Sequence, residues 1–188
     1  WKPMTLLNVW RIPLLFYVSG MGLYFAMRKR NYAQLLTERT LRILIPLIFG
    51  ALAIAPLHFI IFQKFYNLPL GYYPHMGHLW FLGNIFVYVL VLTPLFFYLM
   101  KNKEGKFRKA LSTLMKNPFG PLVLSVFFIA ETLLVKPQIF SVYAETWHGF
   151  FLGLLAFFFG FLFVYSGQQF WQTVSKWKWL YLGLAVVL

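Results

Sequence analysis

The stretch from Trp10 to Pro46 constrains the fold more than any other part of the chain. It reads WRIPLLFYVSGMGLYFAMRKRNYAQLLTERTLRILIP. An apolar run from Ile12 to Met27 ends in Arg28-Lys29-Arg30. A second basic pair, Arg39 and Arg42, precedes an apolar run that starts at Ile43. In lipid a segment must satisfy its own backbone polar groups, so an apolar run of about 20 residues reads as a spanning helix. The stretch therefore predicts a hairpin of two membrane helices with its turn on a positively charged side.

The pattern repeats along the chain. Five segments have the length of full spans: Val9–Met27, Ile43–Phe62, Leu79–Met100, Phe119–Val135 and Trp147–Ser166. A sixth begins near Trp179. The expected fold is all-α, a polytopic transmembrane helix bundle of five full spans and the start of a sixth. Composition agrees. The chain is 61% hydrophobic and 11% charged, whereas a soluble domain carries about 25% charged residues. Residue 1 is Trp and the last residues, Trp179 to Leu188, lie in an apolar run. We therefore expect a piece of a longer membrane protein, with residues 1–188 forming part of one domain.

Seventeen Lys and Arg stand against four Asp and Glu. In a soluble protein that balance would point to nucleic acid. Here the cations sit in short loops between apolar runs, so they set topology and meet anionic headgroups, and no nucleic-acid partner is expected. Loops 28–42, 101–118 and 167–178 hold thirteen of them and the opposite side holds four. The positive-inside rule puts the first group in the cytoplasm. The first segment then runs outside to inside, and one further helix before it is the simplest completion. The outer loops, Gln63–Gly77 and Lys136–Thr146, are rich in aromatic residues, as an interfacial belt is. With no cysteine, disulfides, thiolate metal sites and cysteine nucleophiles are excluded.

Several residues have side chains suited to chemistry. Arg39 and Arg42 are three apart and share a helix face at the cytoplasmic interface. Two guanidiniums there can clamp a phosphate or pyrophosphate; on position alone, topology and lipid contact, with Glu38 pairing Arg42, are the simpler account. Arg11, beside Trp10, either faces a polar cavity or snorkels to the outer headgroups. His78 and Trp80 stand where the outer loop joins the third span, with His75 one turn earlier. His78 is a weak candidate base. No acidic partner is spaced near the two histidines, so no metal is expected. Ser19-Gly20 lies inside the first span, where a glycine lets helices approach and a hydroxyl can bond a carbonyl one turn back. Glu131 lies late in the fourth span and is expected to snorkel, with Glu145 and His148 as alternative partners. Gly149 and Gly153 form a small-xxx-small pair. Prolines 13, 46, 56 and 94 are expected to bend their spans.

Two stretches carry a family resemblance. WRIPLLFYVSG, the basic loop and ERTLRILIPL, followed by GHLWFL, resemble the second and third spans and a later motif of the membrane acyltransferase 3 family. The likeness covers about the first 90 residues and is closest to the branch of the glucan succinyltransferase of periplasmic glucan synthesis. It implies a bundle that moves an acyl group, acetyl or succinyl, from cytoplasmic acyl-CoA to a carbohydrate or other envelope acceptor across a bacterial inner membrane. It implies no permanently bound cofactor, with acyl-CoA as donor substrate. Arg39 and Arg42 match the family's cytoplasmic arginine pair and become candidates for the CoA phosphates. Arg11, Ser19, His78 and Trp80 would line the path or the outer site. The family's catalytic histidine belongs to a span that precedes these, so His78 is not promoted in its place. A transporter or flippase of an envelope precursor is the alternative reading, and a non-catalytic scaffold a third.

Overall fold

The computed structural model describes residues 2–102, 104–135 and 146–187, with side chains described throughout these except at positions 2–10, 78, 186 and 187. All of its regular structure is helical among the described residues. Helix α1 runs over Lys2–Met27 and includes Pro13. Helix α2 covers Tyr32–Phe65, α3 covers Trp80–Lys101 after a tight turn at Gly77–Leu79, and α4 covers Lys106–Lys116. Helix α5, Gly120–Val135, breaks at Leu124. Helices α6, α7 and α8 follow at Trp147–Tyr165, Gln168–Lys176 and Lys178–Val187.

Three of these are long and apolar enough to cross a bilayer, namely α2, α3 and α6. The pair α4 and α5, bent by 115°, makes a fourth if it counts as one span. In α1 the apolar stretch with described side chains is Arg11–Met27. The fourth expected segment is thus a broken helix preceded by an amphipathic one. The chain is an integral membrane bundle, as its composition requires.

Helix α2 has 34 residues, about 51 Å at ~1.5 Å per residue, against a hydrocarbon core of about 30 Å. Part of the helix therefore projects beyond the lipid. Its first turns are polar and properly started. Asn31 accepts from the Gln34 backbone N–H at 2.9 Å, and the Gln34 side chain accepts from the Asn31 N–H at 3.2 Å. That reciprocal cap satisfies two orphan donors. Farther on, two wide π turns, Thr40–Leu44 and Gly50–Ile54, each precede a proline, Pro46 and Pro56. A proline ring collides with the carbonyl four residues back and supplies no N–H; the wide turn relieves the clash and leaves carbonyls free. One of these is Leu52, four residues before Pro56. Tyr72, from the loop beyond α2, donates its hydroxyl to the Leu52 carbonyl at 2.6 Å. Gln63, buried, accepts from the Gly71 N–H at 3.0 Å. The loop is thereby folded back onto the helix.

Helices α1, α3 and α6 form the core and run parallel. Phe16 of α1 meets Tyr88 of α3 at a 5.5 Å ring separation, and Tyr24 meets Phe161 of α6 at 5.5 Å. Phe96 stacks on Phe161 with ring centroids 3.7 Å apart. The Tyr88 hydroxyl donates to the Phe150 carbonyl at 2.6 Å. The backbones of α1 and α6 approach closely: a side chain at Gly20 would strike the Phe157 carbonyl and one at Gly160 the Tyr17 carbonyl. Glycine at both positions brings these helices together by van der Waals packing, the attraction available in lipid. Gly153 makes room for Phe16 and the Tyr88 hydroxyl, which is the packing role expected for it.

One end of this core is basic. Arg108 of α4 donates to the Tyr165 carbonyl at 3.1 Å, and the Tyr165 hydroxyl donates to the Leu99 carbonyl at 2.9 Å. Gly167, at φ 92°, turns the chain from α6 into α7, a backbone that favours glycine. The amphipathic helices α4 and α7 pack together, burying Leu111, Met115, Phe170 and Thr173. The described residues of loops 28–42, 101–118 and 167–178 therefore gather at one end, and the aromatic loop 66–77 lies at the other.

One expectation is corrected. Glu131 does not snorkel. It is buried, and its Oε1 lies 3.0 Å from Nδ1 of His148, itself buried. The reason is geometric: the start of α6 brings the imidazole to the level of Glu131, so an internal partner replaces the distant headgroups. Glu145, the other partner considered, lies outside the described residues, as do residues 136–145 of the second outer loop.

Candidate functional site

At the basic end the turn between α1 and α2 encloses a cleft of about 560 Å³. Its polar walls are Arg28, Lys29, Arg30, Glu38, Arg39 and Arg42, and its inner wall is the Gly22, Phe25 and Ala26 face of α1. Five cations thus face one carboxylate. The capped start of α2 sets this geometry, since it fixes where the first turns carrying Glu38 and Arg39 emerge. The π turn Thr40–Leu44 then reorients the helix at Arg42. A wide turn of this kind is often found where a helix serves a site.

Glu38 is the hub. Its Oε2 lies 2.6 Å from Arg30 Nε and its Oε1 3.0 Å from Arg42 Nη1. The Arg30 approach is close but poorly aligned, so that contact is an ion pair and not a hydrogen bond. The side chain of Glu38 is 16% exposed and that of Arg42 72% exposed, so the Arg42 pair contributes at most about 1 kcal/mol. Arg39 differs. Its Nε is buried and makes no hydrogen bond. A buried guanidinium nitrogen without an acceptor is costly, and an anionic ligand oxygen would satisfy it. Gly22, exposed and with open space around its position, is the lining residue of the cleft farthest from the turn along α1. The arrangement suits an anion with several oxygens: four excess positive charges, one unsatisfied donor and, at Arg42, an exposed planar fork that Glu38 engages through Nη1.

The structure therefore brings Arg39 and Arg42 together in one cleft and adds Arg28, Lys29 and Arg30 to them. The other expected site residues lie elsewhere. Arg11 is exposed at the far end of α1's apolar stretch. Ser19 is half-buried in α1 next to Gly20. Trp80 is half-buried at the start of α3, its ring 6.3 Å from that of Phe16. His78 belongs to the turn before α3, and its side chain lies outside the described residues. His75 lines a second cavity at the aromatic end together with His58.

Sequence reasoning missed two of these features. The Arg30–Glu38 pair joins residues on opposite sides of a turn, and no periodicity connects them. His58 sits inside an apolar span, four residues beyond Ile54 and four before Phe62; that stripe is visible in the sequence, but not what it faces.

The chain matches the acyltransferase domain family along its whole length, residues 1–188. No curated protein and no solved structure matches it. With a helical membrane bundle and a family match over every residue, the chain belongs to the acyltransferase 3 family of integral membrane proteins.

Proposed function

We propose that the chain takes part in moving an acyl group, acetyl or succinyl, from cytoplasmic acyl-CoA to a hydroxyl of a carbohydrate or other envelope acceptor in the bacterial inner membrane. The observation that carries this reading is the cleft in which Arg39 and Arg42 converge with Arg28, Lys29 and Arg30. Its charge matches the phosphates of a CoA thioester, which is a substrate and leaves after each turnover. Arg39 holds a phosphate oxygen with its buried Nε, the exposed fork of Arg42 clamps a second, and the open space at Gly22 leaves room for the pantetheine arm along α1. The positive-inside distribution supports a cytoplasmic position for this end.

In the transfer itself the acceptor oxygen attacks the thioester carbonyl. A C–O bond forms, the C–S bond breaks, and the hydroxyl proton ends on the CoA sulfur. The chain's own contribution to that step is binding and orientation of the donor.

Arg39→Ala or Arg42→Ala in the full-length protein abolishes acylation of the acceptor while membrane insertion survives. Donor affinity, read with unacylated CoA, falls about tenfold or more for Arg39→Ala. Arg39→Lys does not restore it, because an ammonium lacks the planar fork. Unchanged acceptor products in both alanine variants would overturn the reading, and vectorial movement of an unmodified substrate would replace it with transport.

A further inference from the structure

Glu38 is the single acid that lines the cationic cleft, and its carboxylate lies between two arginines from different elements. Arg30, in the turn after α1, is 34% exposed and 2.6 Å away; Arg42, in the π turn of α2, is 72% exposed and 3.0 Å away. The two sides are therefore unequal. The Arg30 contact is the enclosed one, and the Arg42 contact is the loose one. An anion that takes Arg42 end-on contends with Glu38 Oε1 for Nη1. The network around Glu38 is also incomplete. Glu38 Oε2 and Arg39 Nε are both buried, and neither makes a hydrogen bond. A buried network that only holds a turn together closes its hydrogen bonds. This one leaves an acceptor and a donor open on adjacent residues.

From the bridging carboxylate, the exposed Arg42 side and the two open polar atoms we infer that Glu38 is an internal competitor for the anion site. It bridges Arg30 and Arg42 as a phosphate would. A ligand phosphate takes Arg42 from it, and it takes Arg42 back when the ligand leaves. Arg30 keeps the carboxylate at the site during the exchange, because that contact is the more enclosed of the two. Two like charges about 6 Å apart, at an effective dielectric of about 20 to 80, weaken binding by roughly threefold to a hundredfold. Glu38 thus sets a ceiling on anion affinity and speeds release, the opposite of a residue that builds the site. Identifying the anion as acyl-CoA, and the departing species as CoA, rests on the acyl-transfer reading above; the competition itself does not.

The test titrates the full-length protein in phosphatidylcholine nanodiscs with two probes, CoA and inorganic pyrophosphate, without any acyl acceptor. Glu38→Gln binds both about tenfold more tightly than the wild type. Glu38→Asp keeps the charge but draws it back by one methylene, and tightens binding by about threefold. Glu104→Gln removes a different acid at the cationic end, exposed and lining a separate cavity, and leaves both affinities unchanged. In an Arg42→Ala background the gain from Glu38→Gln shrinks, because the contested fork is gone. Weaker binding in both Glu38 variants overturns the inference and makes Glu38 an organiser of the site. A gain undiminished by Arg42→Ala overturns it in favour of simple net charge. In turnover, Glu38→Gln lowers KM for the acyl donor and lets product CoA inhibit at a lower concentration, with no rise in kcat. The two readings fail separately. Tighter binding in Glu38→Gln, from a wild type that acylates nothing, leaves the competitor standing and removes the acyl-transfer reading. Unchanged affinities in Glu38→Gln, with acylation lost in Arg39→Ala and Arg42→Ala, do the reverse.

Discussion

At Glu131 a carboxylate and an imidazole meet inside a membrane bundle, with the second carboxylate oxygen buried and unpartnered. Breaking such a pair on one side leaves the other group stranded, at a typical cost of about 3 kcal/mol or more. Glu131→Ala is therefore expected to lower stability by roughly that amount in reversible detergent unfolding. Replacing both partners, Glu131→Leu with His148→Phe, recovers most of the loss. A double variant as unstable as the single one shows that the polar pair is required as such. The same contrast separates what could be read from the sequence at this scale. Arg39 and Arg42 declared their common face through a spacing of three. Glu131 and His148 lie on either side of a loop, and hydropathy says nothing about which buried acid finds which base. The expectation of snorkelling failed because it ranked the headgroups above His148, an alternative partner the sequence offered and which the start of α6 brings to Glu131.

The elements were legible wherever periodicity and length decide: α2, α3 and α6 coincide with apolar runs bounded by charged or aromatic loops. What was not legible is how α2 bends. Pro46 and Pro56 predicted a distortion, but not that two π turns would absorb it or that Tyr72 would satisfy the freed Leu52 carbonyl. Tyr72→Phe is expected to cost about 1 kcal/mol. Hydrogen exchange at the loop 66–77 rises with it, while the α1–α6 core keeps its protection. The glycine seam responds differently. Gly20→Ala and Gly160→Ala each drive a methyl into a backbone carbonyl, which cannot step aside as a side chain can. Each is expected to destabilise the bundle by about 1–3 kcal/mol. Gly22→Ala is the control, with open space around its position, and an equal effect there would show that glycine flexibility and not close approach is at stake.

On the scale of the whole molecule, the bundle separates a cationic face from an aromatic one. An amine reagent that cannot cross membranes, added to intact cells, is expected to modify Lys64 at the aromatic end and spare Lys106, Lys109 and Lys116. The reverse pattern would place the arginine cleft outside the cell, out of reach of cytoplasmic acyl-CoA. The seam between α1 and α6 has a further consequence, for the order in which the molecule is made. Gly20 leaves the ribosome long before Phe157 does, yet these two are among the tightest neighbours in the fold. Throughout translation of the intervening helices, the glycine face of α1 lacks the α6 backbone it packs against in the finished fold. That contact closes only when the later helix arrives to dock alongside the earlier one.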